Sequence, residues 1–143
     1  MSINAGNAQL FKPVYRNRSH ARLDFGDFQK EINTHLRSIL PYHLQFKVSF
    51  SDHFLDRIMD RKADPRHIKK MIWDTLDKKI CEILYFTVVE KPNPRMTFTD
   101  TIHYVMSSWV QHSKTLVFRT YVYNPNRFEG TSKEKDFVIN HYH

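Results

Sequence analysis

Over residues 43–61 the spacing of apolar side chains changes abruptly, and the change falls on one serine. Before it, Leu44, Phe46, Val48 and Phe50 point one way while Gln45, Lys47 and Ser49 point the other. A period of two marks a half-buried strand. After Ser51, a natural helix N-cap, Phe54, Leu55, Ile58 and Met59 recur at helical spacing. His53, Arg57 and Arg61 then fall on the opposite face, each one turn beyond the last, with Asp56 and Asp60 beside them. A chain that moves from strand to two-faced helix within one residue must pack that helix against a sheet. This points to an α+β domain and away from an all-helical bundle or an all-β sandwich.

The flanking segments extend the pattern. Phe25, Phe28, Ile32, Leu36 and Ile39 recur at three and four, which predicts a helix over 24–40 with Asp24 as its cap, ended by Pro41. Asp64-Pro65 opens a third helix whose apolar stripe is Ile68, Met71, Ile72 and Leu76, closing near Lys78-Lys79. Residues 80–90 are rich in β-formers and read as a strand. Lys91-Pro92-Asn93-Pro94 reads as a loop, and 101–110 and 115–123 as strands joined by a hairpin loop at 111–114. Residues 137–142 read as a short closing strand. On 115–123, Leu116, Phe118 and Val122 share one face; Arg119, Tyr121 and Tyr123 share the other. The expected architecture is α+β, with N-terminal helices on one face of a roughly four-stranded antiparallel sheet. Its open face would carry Arg119, Tyr121 and Tyr123. One domain spans 1–143, with 1–23 a basic arm lying on the surface.

Composition bounds the chemistry. The 143 residues, 41% of them hydrophobic, suffice for one real core. A formal charge of +7, from 22 Lys and Arg against 15 Asp and Glu, favours an anionic partner such as nucleic acid. The same charge also suits a merely soluble basic protein. Cys81 is the single cysteine, so an internal disulfide and a cysteine-rich zinc site are excluded, and a half-buried structural thiol is expected. The N-terminal stretch lacks a signal-peptide core and no run approaches the ~20 apolar residues of a membrane helix. The expectation is a cytoplasmic protein with no membrane partner. Phosphate-loop, dinucleotide-binding and HExxH patterns are absent from the sequence.

The face bearing His53, Arg57 and Arg61 carries the inventory for cleaving a phosphodiester without a metal. A histidine moves protons near neutrality. Arginine's planar fork matches phosphate oxygens, and a helix N-terminus beside His53 favours phosphate. The competing reading is a solvated ion-pair network among Asp56, Asp60, Arg57 and Arg61. His67 stands on the polar side of the third helix with Arg66 and Lys70, and Trp73 lies between its core and polar arcs, placed to stack on a base or to pack at the core edge. His103 and His112 belong to the hairpin strands. His141-Tyr142-His143 has a metal-compatible spacing but no carboxylate support, and reads as a polar terminus.

The string Ser51-Asp52-His53-Phe54-Leu55-Asp56-Arg57 with Arg61 and Asp64 resembles the RegB endoribonucleases of T-even-type phages, which carry Ser-x-His-x-Leu-Asp-Arg-x-x-x-Arg. The likeness is clearest over 42–73; more broadly the chain resembles small RelE-like toxin ribonucleases. The resemblance implies a cofactor-free, metal-independent endonuclease that cleaves mRNA and leaves a 2′,3′-cyclic phosphate. His53 would be the catalytic histidine and Arg57 its functional neighbour, with Arg61, Arg119 and His67 completing the catalytic set. Arg16, Arg18, Arg22, Arg66, Lys70, Trp73, Tyr121 and Tyr123 would bind RNA, with Lys12 holding its backbone further out. The ribosome is a further expected partner. One departure stands out: Trp73 occupies the position of the family's second histidine, so His67, His103 or His112 would have to supply the second proton carrier. Two rivals remain open, a non-catalytic RNA-binding regulator on the same fold and a phage protein that inhibits a host protein.

Overall fold

The computed structural model describes residues 15–61, 63–89, 94–124 and 134–139. Lys12, the 91–93 loop and the 141–143 tail lie outside them. The first helix, α1 (Arg18–Ile39), begins earlier than its apolar period suggests. Asn17 caps it, its side-chain oxygen accepting from the His20 amide at 2.9 Å. Residues 18–23, read as part of an arm, are therefore helical. Asp24 is not a cap; it sits inside α1 and accepts from the Tyr15 hydroxyl and Lys69 Nζ. The buried stripe Ala21, Phe25, Phe28, Ile32 and Leu36 faces the sheet, while Ile39 stays exposed.

A short 3-10 turn (Tyr42–Leu44) leads into β1 (Lys47–Phe50), shorter than the alternation implied. Three helices follow: α2 (Asp52–Asp60), α3 (Pro65–Lys78) and α4 (Ile80–Val89). Ser51 and Asp64 cap α2 and α3 through their side chains. The fourth helix corrects the strand expected at 80–90. Its β-forming residues do not alternate in burial; Ile83 and Thr87, one turn apart, are the buried ones. The Ile83 amide bonds back to Lys79, so α4 continues directly from the end of α3, and tertiary context overrides propensity. Cys81 consequently falls on the outer face of α4 and is exposed, not half-buried.

The strands β2 (Arg95–Thr99), β3 (His103–Val110), β4 (Thr115–Tyr123) and β5 (Glu134–Val138) join β1 in the order β1-β4-β3-β2-β5. Among the described residues the sheet is five-stranded and mixed, not purely antiparallel. Its centre is antiparallel because tight turns connect β2 to β3 and β3 to β4. Its edges run parallel to their neighbours: β1 to β4 and β5 to β2. No tight turn sets the direction of β1, since the helices intervene before the strand it joins. Asn33 of α1 secures that edge, accepting from the Val48 amide at 2.8 Å and donating to the Val48 carbonyl at 3.3 Å.

One face of the sheet carries Val48, Phe98, Val105, Leu116 and Phe118 into the core, against Phe25 of α1 and Phe54 of α2. Phe25 and Phe54 lie edge-on at 5.5 Å, and Phe50 stacks on Phe118 at 5.2 Å. The register between β3 and β4 slips once. Ser107 pairs with Phe118 but Met106 pairs with Thr120, leaving Arg119 as a bulge residue. The extra residue reverses the alternation of β4. Tyr121 thereby turns to the helix side and is 1% exposed. The expected common face of Arg119, Tyr121 and Tyr123 does not exist; Arg119 alone keeps the open side.

Candidate functional site

The start of α2 is fastened to the bulge. The Ser51 amide donates to the Phe118 carbonyl at 3.0 Å, and its hydroxyl donates to the Arg119 carbonyl at 3.2 Å. The same oxygen accepts from the Phe54 amide at 3.1 Å, capping the helix. His53 thus emerges in the first turn of α2, beside the bulge. It is exposed, and its Nε2 accepts from Arg57 Nε at 3.3 Å. That bond requires a lone pair on Nε2, which is the state a general base needs. Arg119 Nε donates to Ser108 Oγ at 2.6 Å. It lines a depression of about 560 Å³ on the open face with Arg95, Met106, Val110 and Thr120.

Two acidic residues of α2, Asp52 and Asp56, are occupied from the α1 side. Arg18 makes a two-point pair with Asp56 at 2.7 and 2.6 Å, and Arg22 reaches Asp52 at 2.9 Å. These two arginines, expected on RNA, spend their charge on α2 and leave Arg57 to His53. Arg16 is exposed.

Arg61 stands eight residues after His53, about 12 Å along the helix axis. A different cluster centres on Asp100. Asp100, in the β2–β3 turn, is 1% exposed. Its Oδ2 lies 2.8 Å from His67 Nε2 and 2.9 Å from His103 Nδ1. Its Oδ1 accepts from the amides of Ile102 and His103 at 2.9 and 2.7 Å. Burial opposes ionisation of this carboxyl, but the bonds from His103 and His67 and the two amides outweigh it and hold Asp100 well below the usual carboxylate range. Tyr121 stacks against His103 at 6.1 Å, and Tyr123, half-exposed, packs on it at 5.5 Å. Burial, then the Asp100 charge, push the Tyr121 hydroxyl well above its usual value. Arg61 is the cation acting against that shift.

The expected residues therefore form separate groups. His53 and Arg57 are bonded to each other and tied through Ser51 to the Arg119 segment. His67, Tyr121 and Tyr123 gather around Asp100 and His103, and Arg61 reaches this group only through its charge at Tyr121. Buried Tyr121 supports this cluster and offers no face to a base. Trp73 is half-buried at the core edge, stacked on His35 at 4.7 Å. Lys70 pairs with Asp74 and Arg66 with Asp64. His103 does not meet His112, which lies in the turn at the far end of β3. The residue that sequence reasoning missed is Asp100. A signal existed: an Asp followed by polar residues between two strands is an Asx-turn signature, and His103 stands three residues beyond it.

The model of the T4-phage Endoribonuclease RegB family matches residues 11–108. No curated protein and no solved structure gives a significant match. The matched stretch is more than half of the chain. It includes the His53–Arg57 pair, Arg61 and the His67–Asp100–His103 cluster, and the members of that family are phage enzymes whose substrate is RNA. The chain belongs to the T4-phage endoribonuclease RegB family.

Proposed function

We propose that this protein is an endoribonuclease that cleaves mRNA by attack of the 2′-hydroxyl on the adjacent phosphorus, with no metal in the step. The observation that carries the reading is the exposed His53, hydrogen-bonded through Nε2 to Arg57 on a helix anchored at the Arg119 bulge, within a chain of the RegB family. Arg57 turns from His53 to the phosphate, and the freed lone pair of His53 Nε2 takes the 2′-hydroxyl proton. The 2′-oxygen bonds to phosphorus and the bond to the 5′-oxygen breaks, leaving a 2′,3′-cyclic phosphate and a 5′-hydroxyl. Arg57 and Arg119 neutralise charge on the non-bridging oxygens, and Arg61 holds the RNA backbone further along the groove. His67 is the protein candidate for protonating the 5′-oxygen. The substrate is mRNA, met free or at the ribosome in the host cytoplasm.

The test is incubation with end-labelled RNA in chelator. Cyclic-phosphate ends are expected, and His53→Ala lowers the rate by roughly a hundred- to ten-thousandfold, the usual range for a proton-transfer residue, without loss of RNA binding. His67→Ala decides the leaving-group proton: a comparable loss assigns it to His67, an unchanged rate to solvent. Trp73 favours one rival. It stands where the resemblance would put the family's second histidine and is packed on His35, so a binding regulator would retain RNA intact under these conditions. Intact RNA with salt-sensitive binding would establish that reading instead.

A further inference from the structure

We propose that His67, Asp100 and His103 form a binding site for one divalent transition-metal ion, with Zn²⁺ the ion its chemistry fits best. This does not depend on the endonuclease reading and assigns the ion no part in the cleavage step; an ion bound here would take His67 out of proton transfer and leave protonation of the 5′-oxygen to solvent. Three elements supply the ligands: the first turn of α3, the β2–β3 turn and the start of β3. One ligand atom from each of His67, Asp100 and His103 lies within 4.8 Å of the other two. Zinc bonds of about 2.0–2.2 Å place tetrahedral ligand atoms roughly 3.3 Å apart. His67 Nε2 and His103 Nδ1 already stand 2.8 and 2.9 Å from Asp100 Oδ2. Small side-chain rotations that spread them from the carboxylate and draw them toward each other complete the triangle.

The donor set is selective. Two imidazoles and one carboxylate suit zinc, copper, nickel or iron and are poor for magnesium or calcium, which want oxygen throughout. The cost of forming the site is low. Each imidazole exposes a lone pair to the ion by moving its proton to the other ring nitrogen. The carboxylate cannot swing away, because Oδ1 is held by two backbone amides. Behind it the chain accepts strain: Thr101, a β-branched residue, adopts φ 79°, supported by its amide donating to Thr99 Oγ1 at 2.8 Å. Such support behind a ligand is what an ordered metal site requires. The histidine side chains are 27% and 24% exposed, so an ion enters from solvent and keeps an open coordination position.

The experiment is titration of the metal-stripped full chain with Co²⁺, read by its visible absorption, followed by displacement with Zn²⁺. One Co²⁺ per chain is expected, with the spectrum of a nitrogen- and oxygen-ligated ion, and Zn²⁺ raises the melting temperature. His67→Ala and His103→Ala each weaken binding by at least about tenfold, the lower end of what even an outer-shell change costs. A chain with both His141→Ala and His143→Ala binds as the wild type does. Asp100→Asn is avoided, since loss of the turn itself could mimic loss of a ligand. The proposal is overturned by absence of saturable binding, or by binding that survives both single variants. Loss on changing the tail histidines would likewise overturn it, as binding elsewhere.

Discussion

Ser51 closes the α2 helix and ties it to the Arg119 bulge with the same hydroxyl. Ser51→Ala is expected to cost about 1 kcal/mol of stability, as N-cap losses do, measured by urea denaturation. It should also slow cleavage by letting His53 drift, while His53→Ala leaves stability nearly unchanged. Asp100 sets an acid limit. Its folded-state pKa lies below its unfolded value, so the stability it confers is complete above the ordinary carboxylate range near 4 and drains away as pH falls further. Asp24 acts in the same direction: burial opposes its ionisation, but Lys69 and Tyr15 prevail and lower its pKa. Acid titration by circular dichroism should show wild-type stability falling below pH ~4, and Asp24→Asn should flatten that fall. The His53–Arg57 pair was legible at this scale because both residues lie on one helix one turn apart. The meeting of His67, Asp100 and His103 was not, since 33 residues separate Asp100 from His67.

Among elements, the Arg119 bulge decides most. Without it Tyr121 would point to the open face and leave a gap beside Val105. Tyr121→Ala, which empties that inward position, should cost at least about 3 kcal/mol, with a matching drop in the denaturant midpoint, whereas deleting Arg119 removes the extra residue itself and leaves Phe118, Thr120 and Tyr121 on their present partners. Nothing in the residues 115–123 announces a bulge, because strand periodicity reads the same up to the extra residue. The Asn33 clamp on β1 is a second element-scale device. Asn33→Ala leaves the Val48 amide and carbonyl short of partners and should cost about 1–3 kcal/mol, detectable as faster exchange of the Val48 amide. Helix α4 shows the reverse case, a segment of β-formers held helical by its continuity with α3 and its contacts.

At the scale of the molecule, the +7 charge is unevenly available. Arg18 and Arg22 are paired with Asp56 and Asp52, whereas Arg57, Arg61 and Arg119 run along α2 and the bulge. Affinity for single-stranded RNA should fall linearly on a log–log salt plot, and Arg57→Gln should reduce the slope by about 0.7, one phosphate contact. A slope unchanged by Arg57→Gln would remove this arginine from the RNA surface.

Local pattern was enough to determine the faces of α1, α2 and α3, the caps at Ser51 and Asp64, the hairpin of β3 and β4 and the outward stripe of His53, Arg57 and Arg61. Each depends on neighbours within a few residues, whose spacing the chain itself sets. The parallel edges β1 and β5, the helical state of 80–89, the reversal at Arg119 and the buried Asp100 between two histidines were decided only when distant segments packed. Their energies come from contacts across long stretches of chain, and no local period records which partner will arrive.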